Sequence, residues 1–422
     1  MAEEQQEMGF SPEKIQEILT AAADHDLPAI KKLLNTPGAA QVQDPVTART
    51  PIHAAIASLG SSDPLSPVYK EVSDEELKKA VDVCKELLQW GGIWNDLDAN
   101  DETPGCLADR LGRKECYEVV VDAGVRAEVL LGLLGGYEEL ESEDEEEETE
   151  DAEAPELVDA ETAQEEPEQE GPQERNKAPL PSQPMNDVNS ATYLSTPLTF
   201  TDNAILDADT NGVMMDWESD IMQISASILA PSSGLKVLNI GFGMGIIDSF
   251  FAATTPSTHH IVEAHPSVLA EVDKPDHKFG KNWEASQPEG RYKIHRGRWQ
   301  DVLPTLLESG ETYDAIYFDT FAEPYSSLKE FFQSYVPGLL APGGRFSFFN
   351  GLGADRKVCY DVYVKVVEID ACEAGMDVQW MDVEIPQQMM ENLEEGGEEW
   401  RGVRRRYWTL KEYKLPVLTF ME

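Results

Sequence analysis

Cysteine is scarce in this chain. There are five in 422 residues, namely Cys84, Cys106, Cys116, Cys359 and Cys372, an odd number, widely spaced and with no CxxC pair. That pattern excludes a disulfide framework and a zinc site and points to a reducing compartment. Long apolar runs are also missing: none approaches the ~18–20 residues of a membrane span. The opening MAEEQQEMGF is acidic and lacks the apolar segment of a signal peptide, so the expectation is a soluble, intracellular protein. Positive charge is the third deficit, with 33 Lys and Arg against 80 Asp and Glu, a formal net charge of −47. Twenty of those acids lie between Glu138 and Glu174, a stretch without Lys or Arg, yet the remainder is still acidic. Such a balance argues against direct binding of nucleic acid and suits a cationic substrate or a basic protein partner.

What is present divides into three regions. Residues 1–135 read as helical. In SPEKIQEILTAAADHDLPAIKKLLN, Ser11 is placed to cap a helix opened by Pro12. RTPIHAAIASLG, Arg49 to Gly60, matches the T-P-L-H-x-A signature of an ankyrin repeat with Ile for Leu, and TPGCLA echoes it from Thr103. The endings LLQWGG and VVVDAGV suit a glycine in a left-handed helix stop. The reading is an all-α, ankyrin-like protein-binding module, in which His53 is a local hydrogen-bonding residue rather than a ligand. Residues 136–191 are Glu-rich, then Pro- and Gln-rich, too poor in apolar groups to order themselves; they read as an acidic linker.

Residues 192–422 carry the chemistry. Seven strand-like runs (KVLNIG, HHIVEA, RYKIHRG, TYDAIYFDTF, GGRFSFFNG, DVQWMDVEI and RRRYWTLKEYKLPVLTF) are separated, for the most part, by helical stretches. This is the pattern of a doubly wound α/β sheet whose last two strands pair antiparallel. After the first strand comes GFGMGI, with Gly241, Gly243 and Gly245 letting backbone approach a ligand closely. Glu263 lies 22 residues after Gly241, at the second strand's end, where a carboxylate can accept from ribose hydroxyls. The third glycine comes too early for the dinucleotide fingerprint. Asp248, near the next helix's start, is unfriendly to pyrophosphate and harmless beside a sulfonium. These features favour S-adenosyl-L-methionine over a dinucleotide.

Five separated stretches, VMMDWESDIMQ, GFGMGI, IVEAHP, GRWQDVLP and YDAIYFDTFAEPY, occur in the order seen in guanidinoacetate methyltransferase. More closely, the chain resembles its fungal relatives, the δ-nitrogen protein arginine methyltransferases, which also join ankyrin-like repeats to the catalytic domain. The resemblance implies a class I S-adenosylmethionine-dependent methyltransferase fold with a seven-stranded sheet. It implies that Gly241, Phe242, Gly243, Met244, Gly245 and Ile246 form the cofactor loop. Glu263 would take the ribose, with Ala264 and His265 beside it. Trp299 and Gln300 would flank the adenine, and Tyr193 and Met222 would cover the cofactor from the N-terminal side. Here Gly245 stands where relatives often have Ala, another small residue.

Glu218 and Asp319 follow as the catalytic pair. A guanidinium has a pKa above ~12 and almost no free lone pair at neutral pH. Carboxylates grip its planar fork and can accept its proton; Asp319, at a C-terminal strand end, is the better base and also borders the cofactor. The resemblance implies methylation of the internal arginine nitrogen of a large-subunit ribosomal protein, in cytoplasm and nucleus, by an enzyme expected to be a monomer. Two rivals share these residues: a small-molecule guanidino methyltransferase, and an inactive ankyrin adaptor.

Overall fold

The computed structural model describes residues 10–141, 190–385, 400, 402–404 and 406–421. The acidic stretch read as a linker lies mostly outside the described residues.

The N-terminal region is all-helical. Its helices Pro12–Ala23, Pro51–Ala57, Asp74–Gln89 and Pro104–Arg110 each begin behind a Ser or Thr (Ser11, Thr50, Ser73, Thr103) whose hydroxyl accepts a first-turn backbone N–H, satisfying one of the donors a helix start leaves unpaired. His53 acts locally, as expected. Its Nδ1 accepts from Thr50 N–H at 3.2 Å, so Nε2 carries the proton and donates to the Glu102 carbonyl at 3.0 Å. Gly91 takes a left-handed conformation, φ 87°, after the helix Asp74–Gln89. Gly124 does not end a helix: Lys114–Glu141 runs straight through it. The position is held by packing, because a Cβ there would strike Val362 and Trp94.

That contact crosses between regions. Val358, Val362 and Val366, on the helix Lys357–Glu373, belong to the same buried cluster as Ile18, Ile52, Leu87 and Val120. Around its rim Tyr117 donates to Asp361 at 2.5 Å, Lys365 pairs with Asp122 at 3.0 Å, and Tyr363 donates to Glu128 at 3.2 Å. The helical region and the α/β region therefore share one core.

The α/β region opens with a small antiparallel sheet of β1 (Thr199–Phe200), β2 (Ala204–Leu206) and β3 (Gly212–Met215). The main sheet contains β4 (Lys236–Ile240), β5 (Thr258–Glu263), β6 (Tyr292–Arg296), β7 (Tyr313–Phe318), β8 (Leu340–Phe348), β9 (Met376–Glu384) and β10 (Glu412–Phe420), in the order β6-β5-β4-β7-β8-β10-β9. The first five are parallel, and β10 runs antiparallel to both β8 and β9. This is the class I methyltransferase arrangement. One expectation changes at its edge: residues 406–411 are irregular, and the last strand starts only at Glu412.

The winding reverses at β4, which pairs with β5 on one side and β7 on the other, Ile240 lying opposite both Val262 and Phe318. A crevice must open at the C-terminal ends of these strands. Gly241 follows β4, Glu263 ends β5, and Asp319 follows β7, so three expected site residues reach that crevice from the topology alone.

Candidate active site

The crevice is a cleft at the C-terminal ends of β4, β5 and β7. Its lining includes Tyr193, Gly241, Phe242, Gly243, Glu263, Ala264, Trp299, Gln300 and Asp319. Gly241 is required where it stands: its φ is 90°, and a Cβ would collide with the Asp319 carbonyl. The β4 and β7 ends can approach only because that side chain is absent.

Glu263 ties the loop down. Its Oε2 accepts from Phe242 N–H at 2.9 Å and more weakly from Gly243 N–H at 3.4 Å, while Oε1 accepts from His265 N–H at 2.5 Å. A carboxylate has about four acceptor sites, so capacity remains for a ligand hydroxyl. Burial pushes this carboxyl up from its ordinary value, and the backbone donors oppose that. His265 does not line the cleft. Its Nδ1 accepts from Ser267 N–H at 3.0 Å, so Nε2 donates to the Tyr193 carbonyl, also at 3.0 Å. It thereby anchors the short helix Ser190–Ser195, and Tyr193 with it, at the mouth of the cleft.

Asp319 is partly buried. Its N–H donates to the Ile240 carbonyl at 2.8 Å, but its buried Oδ2 has no partner. Burial pushes the carboxyl up to about 7. Glu218 ends the turn Asp216–Glu218 and is 3% exposed. Burial drives it well above the usual range, and the nearby Asp319 charge adds to the shift. Tyr407 donates to Glu218 Oε1 through a very short bond and accepts from Trp217 Nε1 at 3.1 Å. Glu218 is thus buried beside the cleft, close enough to Asp319 to be affected by its charge.

Two placements differ from expectation. Met222 is wholly buried and lies away from the cleft, because Met222, Ser225, Ala226 and Leu229 form the inward stripe of the helix Ser219–Leu229. Met214 lines the cleft instead, and its sulfur receives Met244 N–H at 3.2 Å. Asp248 is also buried, not facing a ligand. It pairs with His259 at 2.8 Å and accepts from Asn239 Nδ2 at 2.8 Å, and Asn239 in turn donates to the Gly241 carbonyl at 2.7 Å. It braces the loop from beneath. Met244, Gly245 and Ile246 shape the loop without lining the cleft.

Two residues escaped the sequence reading. Glu323 accepts from Trp299 Nε1, Gln300 Nε2 and Thr320 Oγ1 at 2.9, 3.2 and 2.8 Å; its only sequence signal was its place four residues after Asp319. Tyr407 lies in the irregular segment read as strand, where nothing local marked it.

The chemistry of the lining suits S-adenosylmethionine. The unpartnered buried atoms include two acceptors from cleft residues, Asp319 Oδ2 and Gln300 Oε1. With Glu263 they call for a ligand rich in donors. The cofactor brings an adenine amino group, ribose hydroxyls, an ammonium and a sulfonium; a phosphate would be repelled by Glu263, Asp319 and Glu323. Among the described residues no cluster of His, Cys, Asp or Glu could hold a metal ion, and no helix is long and apolar enough to cross a membrane.

The sequence model for guanidinoacetate N-methyltransferase matches residues 196–393. Curated relatives span nearly the whole chain. Protein arginine N-methyltransferase 2 of Gibberella zeae is 51% identical over 94% of this chain and 91% of its own length. The proteins of the same name in Neurospora crassa and Aspergillus fumigatus are 49% and 45% identical, each over 97% of this chain and 96% of their own length.

Proposed function

We propose the following chemistry for this chain, which belongs to the protein arginine N-methyltransferase 2 family and methylates arginine with S-adenosylmethionine as donor: the methyl goes to the internal, δ nitrogen of an arginine held by Glu218 and Asp319. The δ assignment rests on the family resemblance; the observation that carries the grip on a guanidinium is the pair of neighbouring carboxyls, Glu218 buried and Asp319 with a buried, unpartnered oxygen. Two such groups cannot both ionise cheaply without a cation. A guanidinium supplies the charge, and its fork matches carboxylate geometry.

The donors around the pair separate their roles. Glu218 accepts from Tyr407 and from the Met215 backbone, bonds that oppose the upward shift burial imposes on it; the charge of a bound guanidinium would bring out the carboxylate that grips it. Asp319 Oδ2 receives no bond, so the transferable proton is best taken there as the nitrogen becomes nucleophilic. Glu263 would hold the ribose, Trp299 and Gln300 the adenine, and Tyr193 the open side. Bound there, the cofactor supplies an electrophilic methyl on a sulfonium, and much of the rate comes from orienting the two reactants.

The substrate is read as a basic protein, a ribosomal large-subunit component by family likeness, encountered in cytoplasm or nucleus by a monomeric enzyme. The acidic composition and the helical region sharing the catalytic core support a protein rather than a free metabolite. We read that region as ankyrin-like, on the TPIHAA start and the His53 bond to Glu102. The match to the guanidinoacetate enzyme keeps a small guanidino acid as the second reading. Incubation with ribosomal proteins and with guanidinoacetate, followed by fragmentation mass spectrometry, separates them. Methyl on the internal arginine nitrogen is expected; methylation of the small acid alone, or of terminal nitrogens, refutes the proposal. An inert adaptor would show no cofactor binding by calorimetry.

A further inference from the structure

Glu323 has no role in the reaction just described, yet it sits in the cleft wall with three side-chain donors converging on it. Oε1 accepts from Gln300 Nε2 at 3.2 Å and from Trp299 Nε1 at 3.1 Å; Oε2 accepts from Trp299 Nε1 at 2.9 Å and Thr320 Oγ1 at 2.8 Å. An ionised carboxylate only accepts hydrogen bonds. It therefore decides which end of the Gln300 amide turns toward it: the NH₂ must. The other end, Oε1, is left buried with no partner, in a residue that lines the cleft. An unpaired buried acceptor is costly, and the cost is recovered when a ligand brings a donor.

We infer that Glu323 sets the purine specificity of the cofactor site: by clamping the Gln300 amide in one orientation it presents Oε1 to the 6-amino group of adenine and rejects a 6-oxo purine. A 6-oxo base would set carbonyl against carbonyl. The amide cannot turn to relieve this, because its oxygen would then face the Glu323 carboxylate. The same carboxylate fixes the Trp299 indole, whose ring meets Phe318, Phe331 and Tyr335 edge-on. Glu323 is thus a positioning residue acting through Gln300, and the inference rests on the proposed seat of the adenine at Trp299 and Gln300.

The test is calorimetry on the full chain with S-adenosylhomocysteine and its 6-oxo analogue, S-inosylhomocysteine. The native protein is expected to prefer the amino form by at least about tenfold, the range for a site that must leave a polar group unpaired. Glu323→Gln replaces a pure acceptor by an amide that can face either way, so Gln300 is released to turn. The preference is expected to fall at least about fivefold, mainly because the 6-oxo analogue binds more tightly than it does to the native protein. Loosened packing would weaken both ligands and yield no such gain. Gln300→Leu is expected to lower the preference as well, through loss of the amino form. An unchanged ratio in either variant, or no preference in the native protein, overturns the clamp while leaving the cofactor reading intact. Failure of the native protein to bind S-adenosylhomocysteine takes down the cofactor reading and the clamp together.

Discussion

Asp319→Asn is expected to abolish methyl transfer and, at alkaline pH, to make the protein more stable. Burial moves this carboxyl from an ordinary value of 3.8 to about 7. Between those values the folded chain binds a proton that the unfolded chain has released, so stability falls as pH rises through that window. Each unit is worth about 1.36 kcal/mol. Holding the proton therefore costs on the order of 2 kcal/mol of stability at pH 5, and the ionised side chain about 4 kcal/mol at pH 8. Asparagine has nearly the same shape and never ionises. It also removes the like charge that Glu218 faces. Thermal unfolding of the variant and the parent at both pH values reads this directly. The variant's midpoint should exceed the parent's by about 5 °C at pH 8 and about 2 °C at pH 5. Transfer to an arginine peptide should drop by at least about 10²-fold, as for loss of a general base. In the parent, kcat/KM for the arginine substrate should climb with pH through about 7, because the ionised form is the competent one. A variant no more stable than the parent at pH 8, or a stability gap indifferent to pH, would refute the claim that Asp319 is held at a cost for function.

Tyr407→Phe removes the donor on Glu218 Oε1. Hydrogen bonds to charged groups contribute about 1.5–3 kcal/mol, so kcat/KM for the arginine substrate should fall roughly 10- to 150-fold with cofactor affinity within about twofold of the parent; a loss confined to cofactor binding would count against the role. Glu263→Ala deletes the acceptor of the Phe242, Gly243 and His265 N–H groups as well as the ribose ligand, and calorimetry should record at least about a tenfold weaker cofactor; unchanged affinity would remove Glu263 from the site. Gly124→Leu forces a side chain into Val362 and Trp94 at a cost of about 1–3 kcal/mol. Hydrogen exchange in the helix Lys357–Glu373 should quicken, and an unaltered rate would show that the two regions do not share a core.

The parallel strands were legible because interior strands of such a sheet are short apolar runs between turn signals: KVLNI is buried at every residue but the first. The strand ends then placed Gly241, Glu263 and Asp319 together without any knowledge of side chains. Legibility failed where a residue's partner is remote in sequence. VVVDAGV offers a glycine stop, yet Gly124 sits inside a helix because Val362 packs there. RRRYWTL reads as the start of a strand, but Tyr407 and Trp408, adjacent in sequence, both meet Trp217, some 190 residues earlier. Met222 and Met214 are both buried methionines flanking Glu218, and only the helical stripe shared with Ser225, Ala226 and Leu229 decides which one is core.

The carboxylates make the same point more sharply. Glu218, Asp248, Glu263, Asp319 and Glu323 all lie in or against one cleft, and the sequence treats them as one kind of residue. Their donors distinguish them. Asp248 is saturated by His259 and Asn239 and so braces the loop. Glu263 is largely taken by backbone N–H groups yet keeps acceptor capacity at the cleft. Glu323 is fully engaged by side chains and orients them. Glu218 has donors behind it that oppose the upward shift of burial. Asp319 alone has an oxygen without a partner. A carboxylate oxygen that accepts no bond can receive a proton without giving up a bond already made. The carboxylate left unpartnered beside Gly241, whose missing side chain lets the backbone reach it, is therefore the one fitted to take a proton from a substrate.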